Sequence, residues 1–290
     1  MPELPEVETI VRSLANPATD SDESGQSTVL TRGIVGRTVQ SVSLLWNKSL
    51  AFPSTANLEK LIVGRKIMSV DRRGKFILIN FDQQVLLIHL RMSGDIRVER
   101  SGDNEIRKHD RLILRFSDGW QMVFHDPRKF GRIWLVERVE EVTGGLGCEP
   151  LSSEFTAEYL FAHLQSTTRR IKPFLLDQTI IAGLGNIYTD EALFLSSIHP
   201  LTPAREITLM QAESLVRSIR NVLEEGIRRN GASIDWVYRG GDFQNHFKVY
   251  QRTGEPCVLC GTIIERIVVG QRGTHLCPHC QRLTEKTAIN

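Results

Sequence analysis

Four cysteines near the carboxyl end constrain the fold of this chain more than any other feature. Cys257, Cys260, Cys277 and Cys280 follow the spacing C-x2-C-x16-C-x2-C. Structural zinc binds four thiolate or imidazole ligands in a tetrahedron, and each C-x2-C turn presents two thiolates. Two disulfides are the alternative, but a cytosolic chain rarely keeps them. We therefore expect one structural zinc ion with no open position for a substrate, and we expect His279 not to be a ligand.

Composition places the chain among globular proteins of two domains, with room for a small third. Its 290 residues are 41% hydrophobic and 24% charged, which suffices for proper hydrophobic cores. A formal net charge of +2 permits nucleic-acid binding without requiring it, so local clusters matter more. No apolar run reaches the ~18 residues of a membrane span, and the sequence does not open with a basic-then-apolar signal. We expect a cytoplasmic protein that does not enter a membrane.

The hydrophobic pattern changes along the chain from strand-like to helical. Residues 6–14 have the spacing of an amphipathic helix, and residues 34–137 alternate short β-branched segments with turns such as Ser117-Asp118-Gly119. Because no helix is predicted between those strands, an antiparallel β-sandwich fronted by a helix is expected. Helices are predicted over 156–165, 186–196 and 206–230. The fold class is therefore α+β and multi-domain, with the zinc element last.

The segment MPELPEVE at residues 1–8 suggests covalent chemistry. Removal of Met1 would leave Pro2 with a secondary amine whose unperturbed pKa is about 8. Such an amine is a nucleophile that can form an iminium, as lysine forms a Schiff base. The competing interpretation is that Pro2 and Pro5 only begin a helix, and this segment alone does not decide between them.

Glycine, basic and aromatic residues recur in four other segments. GLGN at 183–186 precedes a helix, where backbone N–H groups can bind phosphate, although a simple tight turn explains it equally well. HDPRKFG and HLRMSG place basic and apolar side chains on turns, as a DNA wedge requires, although such residues are more often core. RRGK sets Lys75 at the start of a strand, as a catalytic amine or an ordinary edge lysine.

Taken together, PELPEVE, MSG, HDPRKFG, GLGNIYTDE and QRGTHLCPHCQ resemble the formamidopyrimidine-DNA glycosylase family, in the family's order and over nearly the whole chain. Endonuclease VIII-type relatives share this frame but differ at the start, so PELPEVE favours the oxidised-purine branch. The resemblance implies a catalytic β-sandwich domain over 1–147, a helical helix–two-turn–helix domain over 148–242 and a zinc finger over 243–290.

The resemblance also implies an activity. Double-stranded DNA would lie in the cleft between domains with an 8-oxoguanine or ring-opened purine flipped out. Pro2 would attack the sugar and Glu3 would donate a proton for ring opening. Glu6 would position the chain end or coordinate a proton relay. Lys75 would assist base release and β-elimination, and Arg272 would assist δ-elimination. The enzyme would thus be a bifunctional glycosylase and AP lyase, expected to be a monomer.

DNA contacts follow from the same resemblance. The wedge that fills the gap left by the flipped base would be Met92, Arg128 and Phe130. Contacts to the DNA backbone are implied for His109 and Arg128 near the lesion and for Asn186 at a phosphate. Arg169 and Lys172 are further implied DNA contacts, although the segment before IKP matches the family less closely.

Two segments depart from the family or leave its details open. The polar stretch NPATDSDESGQST at 16–28 lengthens the link after the first helix, and it is interpreted as an exposed insertion. RGGDFQNHF at 239–247 matches a mobile lesion-capping loop. The alternatives that remain are an oxidised-pyrimidine glycosylase of the endonuclease VIII type and a non-catalytic, zinc-containing DNA-binding protein.

Overall fold

The computed structural model describes residues 1–16, 33–102, 106–233 and 240–283. The predicted insertion lies almost wholly outside the described residues, as does part of the predicted capping loop. The chain forms two compact units, one of residues 1–145 and 230–242 and the other of residues 146–229 and 243–290.

Among its described residues, the first unit contains three α-helices and nine strands. In chain order its elements are α1 (Leu4–Ala15), β1 (Val39–Leu44), β2 (Leu50–Phe52), α2 (Thr55–Ile62), β3 (Ser69–Arg73), β4 (Phe76–Asn80), β5 (Val85–His89), β6 (Asp95–Arg100), β7 (Asp110–Phe116), β8 (Trp120–His125), β9 (Arg132–Val136) and α3 (Glu140–Thr143). They build one sheet in the order β1-β7-β8-β6 and a second in the order β2-β9-β5-β4-β3.

The two sheets and helix α1 share one hydrophobic core. The apolar face of α1 contributes Val7, Ile10, Val11 and Leu14, and inward-facing residues of both sheets complete the core. Pro5 lies in the first turn of α1, where a missing N–H is tolerated. The sandwich fronted by a helix is therefore confirmed, as is the β7–β8 hairpin at residues 117–119, where Gly119 has φ +79°.

Two details of the predicted sandwich are wrong. Helix α2 lies between β2 and β3, although no helix was expected among the strands. Its two buried apolar residues, Leu58 and Ile62, have helical spacing, but only eight residues carry the pattern. Strand β2 also pairs in parallel with β9. The long stretch of chain over residues 53–131 joins these two strands, as a parallel pair requires.

The second unit is helical and ends in a two-stranded hairpin. Its elements are α4 (Ala157–Gln165), α5 (Ile171–Leu175), α6 (Asn186–Leu195), α7 (Leu209–Arg228), β10 (Glu265–Val269) and β11 (Arg272–Leu276). The predicted helices 156–165, 186–196 and 206–230 correspond to α4, α6 and α7. A capping box at Thr208 begins α7, and Gly231 follows its end with φ +78°.

Segment 230–242 belongs to the first unit although it directly follows α7. A backbone hydrogen bond from Ala232 to the Glu6 carboxylate contributes to this grouping. These two units therefore do not follow the predicted domain boundaries after residues 147 and 242. Those boundaries remain a proposal. Among the described residues, no helix is long and apolar enough to cross a membrane.

Candidate active site

The beginning of α1 is fixed by its own glutamates. Pro2 is buried, and Glu3 and Glu6 are each 2% exposed. The backbone N–H of Glu3 donates to Glu6 Oε2 at 2.7 Å, and the Glu3 side chain accepts from the Glu6 backbone in return. This reciprocal capping box satisfies two otherwise unpaired N–H groups. It also holds the backbone that follows Pro2 in one conformation.

The second oxygen of Glu6 binds a distant part of the sequence. Glu6 Oε1 accepts from the backbone N–H of Ala232 at 2.7 Å. Gly231 precedes it with φ +78°, and a Cβ there would lie 2.8 Å from Glu6 Oε1. Only glycine fits this combination of left-handed backbone and close approach. One carboxylate therefore connects the segment after Pro2 with the segment after α7.

Lys75 lies in the tight turn between β3 and β4, next to α1. Gly74 has φ +55°, and the Lys75 side chain is mostly buried, with 7% of the residue exposed. Arg72 donates through Nε to Glu8 of α1 at 2.8 Å and through Nη1 to the Gly74 carbonyl at 3.0 Å. Arg72 thus connects the helix that follows Pro2 to the turn that carries Lys75. Lys75 is not the solvated edge lysine of the competing interpretation.

The Glu8 carboxylate maintains this contact with Arg72 because its pKa is lowered. Burial on its own would raise the pKa of Glu8, but hydrogen bonds and charge from Arg72 and Arg12 outweigh it and hold that pKa below its ordinary value. The carboxylate therefore stays ionised and keeps accepting from Arg72 at neutral pH.

His89 belongs to the same neighbourhood and was missed by the sequence reasoning. Burial, together with the charges of Arg91 and Lys75, lowers the pKa of His89 to about 3. The neutral ring accepts through Nδ1 from the Arg91 N–H at 3.0 Å and meets the Phe76 ring edge-on, with centroids 4.7 Å apart. The segment HLRMSG could have identified His89, because this histidine ends β5 only three residues before the predicted wedge residue Met92.

Met92 and Phe130, the predicted wedge residues, are exposed on turns. Their exposed fractions are 41% and 52%, so neither side chain is packed into a core. Each follows a residue in the left-handed region, Arg91 with φ 55° and Lys129 with φ 63°. Such conformations are unfavourable outside glycine and recur at functional sites. Met92 and Phe130 are therefore not core residues.

One buried carboxylate, which the sequence reasoning also missed, organises both turns. Asp126 is 1% exposed and accepts from the Ser93 hydroxyl at 2.5 Å. It also accepts from the backbone N–H of Arg128 at 3.2 Å and of Gly131 at 2.7 Å. Ser93 adjoins Met92, and the other two donors flank Phe130. Asp126 therefore fixes the positions of both apolar tips.

Two glycines allow the turns that carry Met92 and Phe130 to pack against the same phenylalanine ring. A Cβ on Gly94 would lie 2.9 Å from the Phe124 side chain, and one on Gly131 only 2.3 Å from it. Phe124 is fully buried at the end of β8. The glycines of MSG and KFG are thus required for close packing.

Arg128 and His109 lie beside this wedge. The Arg128 guanidinium carbon is 5.6 Å from the Phe130 ring centroid, a cation–π distance. His109 lies 3.4 Å from the Arg111 guanidinium through Nδ1. Partial burial and the nearby charge of Arg111 lower the pKa of His109, so a neutral imidazole is favoured there. Arg128 offers charge and His109 offers a neutral hydrogen-bonding group.

In the second unit, the structure gives different surroundings to the three predicted DNA contacts. Asn186 begins α6, and its Nδ2 donates to the Gly273 carbonyl at 3.0 Å, leaving one N–H for a phosphate oxygen. Arg169 is 45% exposed in its side chain and pairs with Asp177 at 2.8 Å. Both residues remain candidates for DNA contact.

Lys172 requires a correction. Its side chain is fully buried, and Nζ lies 2.6 Å from Asp190 Oδ1, whose side chain is also fully buried. A direct contact with a DNA phosphate is therefore not available to Lys172 in this arrangement. The sequence showed three cations in RRIK, but the partner that buries the third lies on another helix.

Arg272 is exposed at the tip of the β10–β11 hairpin. It pairs across the hairpin with Val269, and Gly270 and Gln271 form the turn with φ 55° and 61°. Arg272 therefore begins β11 while Cys277 follows the other end of that strand, and the hairpin fixes the Arg272 backbone.

The four cysteines fit a zinc ion. Their Sγ atoms all lie within 4.8 Å of one another, with 3.9 Å between Cys257 and Cys280 and 3.5 Å between Cys260 and Cys277. A tetrahedral ion with Zn–S bonds of ~2.3 Å places thiolates about 3.8 Å apart, whereas a disulfide requires about 2.0 Å. All are free thiols, so the two-disulfide alternative is wrong.

Comparisons with known proteins agree with this geometry. Family models match residues 26–133 (formamidopyrimidine-DNA glycosylase N-terminal domain), 146–237 (its H2TH domain) and 254–283 (zinc finger found in FPG and IleRS). The formamidopyrimidine-DNA glycosylase of Chloroflexus aurantiacus is 43% identical over 97% of this chain and 98% of its own length. The chain belongs to the formamidopyrimidine-DNA glycosylase family.

Solved structures of this family have the same fold. The Lactococcus lactis Fpg in complex with abasic-site DNA superposes with a TM-score of 0.86 at 34% identity, covering 97% of this chain and 100% of that one. A MutM structure in complex with carbocyclic 8-oxo-G DNA gives 0.85 at 36% identity with the same coverage. The family's β-sandwich, H2TH domain and zinc finger are therefore all present, and the zinc finger carries its four ligands.

Proposed function

We propose that this chain is a bifunctional DNA glycosylase and AP lyase that removes oxidised purines and uses Pro2 as its nucleophile. The observation that carries the proposal is the doubly bound Glu6. It fixes the backbone next to Pro2 and Glu3 through one oxygen and the segment after α7 through the other. A non-catalytic binding protein has no need to fix a potential secondary amine beside buried carboxyl groups.

The first step requires removal of Met1, because the Pro2 nitrogen is an amide while Met1 is attached. Met1 is 45% exposed and so accessible to an aminopeptidase. The freed nitrogen then uses its lone pair to form a bond to C1′ of the damaged nucleotide. The glycosidic bond breaks, its electron pair leaves with the base, and the base takes up a proton.

Glu3 transfers the next proton, from the amine to the sugar. Its carboxylate accepts the proton of the amine and gives it to O4′ as the C1′–O4′ bond opens, which leaves an iminium between the Pro2 nitrogen and C1′. The iminium is an electron sink. Loss of a C2′ proton therefore expels the 3′ phosphate, and loss of a further sugar proton expels the 5′ phosphate. Lys75 assists base release and the first elimination, and Arg272 assists the second.

For these steps the damaged nucleotide is flipped out of the base stack, and the wedge fills the gap that it leaves. A flipped nucleotide leaves a gap in the base stack at a cost of a few kcal/mol. Met92 and Phe130 are apolar and exposed, and Arg128 offers charge to the DNA backbone, so the three can fill this gap. The zinc ion has a structural role when bound, since four thiolates complete its coordination. Because the substrate is chromosomal DNA, we place the protein in the bacterial cytoplasm.

A lesion-comparison assay tests the proposed function. Zinc-loaded protein without Met1 is incubated with matched duplexes that contain 8-oxoguanine opposite cytosine, a formamidopyrimidine, an oxidised pyrimidine, or no lesion. We expect cleavage of both purine-lesion duplexes with two phosphate-terminated ends, and a rate at least about tenfold higher than with the pyrimidine lesion, equivalent to ~1.4 kcal/mol in barrier. Faster cleavage of the pyrimidine lesion would support the endonuclease VIII-type alternative, and binding without cleavage would support a non-catalytic protein.

A further inference from the structure

A buried ion pair connects the helical part of the second unit to the hairpin that carries Arg272. Lys172 lies on α5 and Asp190 on α6, and both side chains are fully buried. Lys172 Nζ donates to Asp190 Oδ1 at 2.6 Å and to the Gly273 carbonyl of β11 at 3.1 Å. The ammonium group therefore binds the backbone carbonyl of the residue that directly follows Arg272.

Asp190 binds the same strand two residues further on. Its Oδ2 accepts from the backbone N–H of His275 at 2.9 Å, while Oδ1 holds Lys172. The Gly273 carbonyl accepts in addition from Asn186 Nδ2 at 3.0 Å. Three side chains of α5 and α6 thus make hydrogen bonds to the backbone of β11 at Gly273 and His275, within the three residues that follow Arg272.

The tip of the hairpin also packs against α5. A Cβ on Gly270 would lie 2.8 Å from Cγ of Pro173, the neighbour of Lys172, and Gly270 has φ +55°. The residues of IKP therefore contact the hairpin from both sides of its turn, by polar bonds at Gly273 and by apolar packing at Gly270.

From these contacts we propose that the Lys172–Asp190 pair is a positioning element for Arg272. It acts through the backbone of β11 and controls how β-elimination products proceed to δ-elimination. Neither residue touches the substrate. Uncompensated buried charges are strongly unfavourable, so the pair persists only when both partners and the β11 peptide groups are in place. This inference rests on the proposed function, because it assigns Arg272 to the second elimination.

A charge-free replacement of the pair tests the proposal. The double variant Lys172→Met, Asp190→Leu removes the bonds to β11 without leaving an unpaired charge, and apolar replacements of buried ion pairs are often neutral in stability. We expect unchanged zinc content, base release and β-elimination, with the rate of conversion from the β- to the δ-product reduced about tenfold. Glu255→Gln, which removes a surface partner of Arg252, is the matched control.

A second variant keeps the test decisive if the double variant does not fold. Gly270→Ala displaces the hairpin tip from Pro173 while the buried pair stays intact, and the site is exposed. It should show the same selective loss of the δ-product, and Arg272→Ala should reproduce it. A wild-type product ratio in a folded double variant, or an equal loss of all three steps, would overturn the proposal. Absence of base release by the wild-type protein would instead overturn the proposed function.

Discussion

The Asp126 carboxylate accepts a hydrogen bond from the Ser93 hydroxyl at 2.5 Å, across 33 residues of sequence. Through this contact the turn that carries Met92 and the turn that carries Phe130 share one buried anion. The proposed wedge of Met92 and Phe130 is accordingly a preassembled unit, because one buried carboxylate holds both turns.

Replacement of Asp126 by Asn should loosen this unit. One oxygen becomes an NH2 group that faces backbone or hydroxyl donors, so we expect a loss of about 1–3 kcal/mol in the free energy of unfolding. Base excision should fall further than strand cleavage at a preformed abasic site, because an abasic site has no base to flip. Urea unfolding and single-turnover cleavage of the two duplexes measure these effects. Asp82→Asn, at a surface partner of Arg65, is the control, and an equal loss on both duplexes would contradict the wedge role.

Gly231→Ala should weaken the link between Glu6 and the segment after α7. The new Cβ would lie 2.8 Å from Glu6 Oε1 on a backbone with φ +78°, so the Ala232 hydrogen bond cannot keep its geometry. Gly64→Ala is the matched control, because Gly64 has φ +80° and no atom within 4 Å of the added Cβ. Both variants should lose about 1 kcal/mol of stability from backbone strain.

Only Gly231→Ala should also reduce the rate of base release, which single-turnover kinetics on an 8-oxoguanine duplex would measure. Equal rates in the two variants would show that the Glu6 contact does not matter for the reaction.

His89 should make stability depend on pH. Its pKa in the folded protein is about 3, against about 6.5 in the unfolded chain. Between these values the unfolded state binds more protons, so the free energy of unfolding falls as the pH drops below about 6.5, by up to ~1.4 kcal/mol per pH unit. His89→Gln removes this contribution. Urea unfolding from pH 4 to 7 should be flatter for the variant, and parallel curves would contradict the assignment.

Zinc removal should affect the second unit selectively. The hairpin core packs Val249, Ile264 and the cysteines Cys257 and Cys277 against Phe194 of α6, whereas the sandwich core is separate. We expect Cys260→Ser to lose zinc and hydrogen-exchange protection in β10 and β11 while residues 69–89 stay protected. Retained protection of the hairpin without zinc would contradict the structural role of the metal.

Local patterns made much of this fold predictable. Helices α1 and α7 have a clear amphipathic pattern, and the cysteine spacing specified the metal site directly. The parallel β2–β9 pair was not predictable, because the two strands are far apart in sequence and the residues of a strand do not specify the direction of its partner. Helix α2 was missed because its eight residues carry only a short apolar pattern.

The chemistry of a single residue was enough to mark Pro2 as a candidate nucleophile and Phe130 as a candidate wedge, and these roles stay predictions. The site was not predictable where a role depends on partners distant in sequence. Lys172 looked like a surface cation because Asp190 lies 18 residues away. Asp126 looked like an ordinary turn residue because its partner Ser93 precedes β6. Three-dimensional contacts, rather than residue type, separate the exposed cations from the buried ones.

Borohydride trapping tests the central claim, that Pro2 is the nucleophile, most directly. Protein shown by intact mass to lack Met1 is mixed with an 8-oxoguanine duplex and borohydride, which reduces an iminium to a stable amine, and the cross-linked peptide is mapped by mass spectrometry. We predict a covalent adduct on the Pro2 nitrogen, absent with undamaged duplex and lost or greatly weakened in Pro2→Gly. An adduct on Lys75 instead, or strand cleavage without any trapped adduct, would contradict the assignment of Pro2.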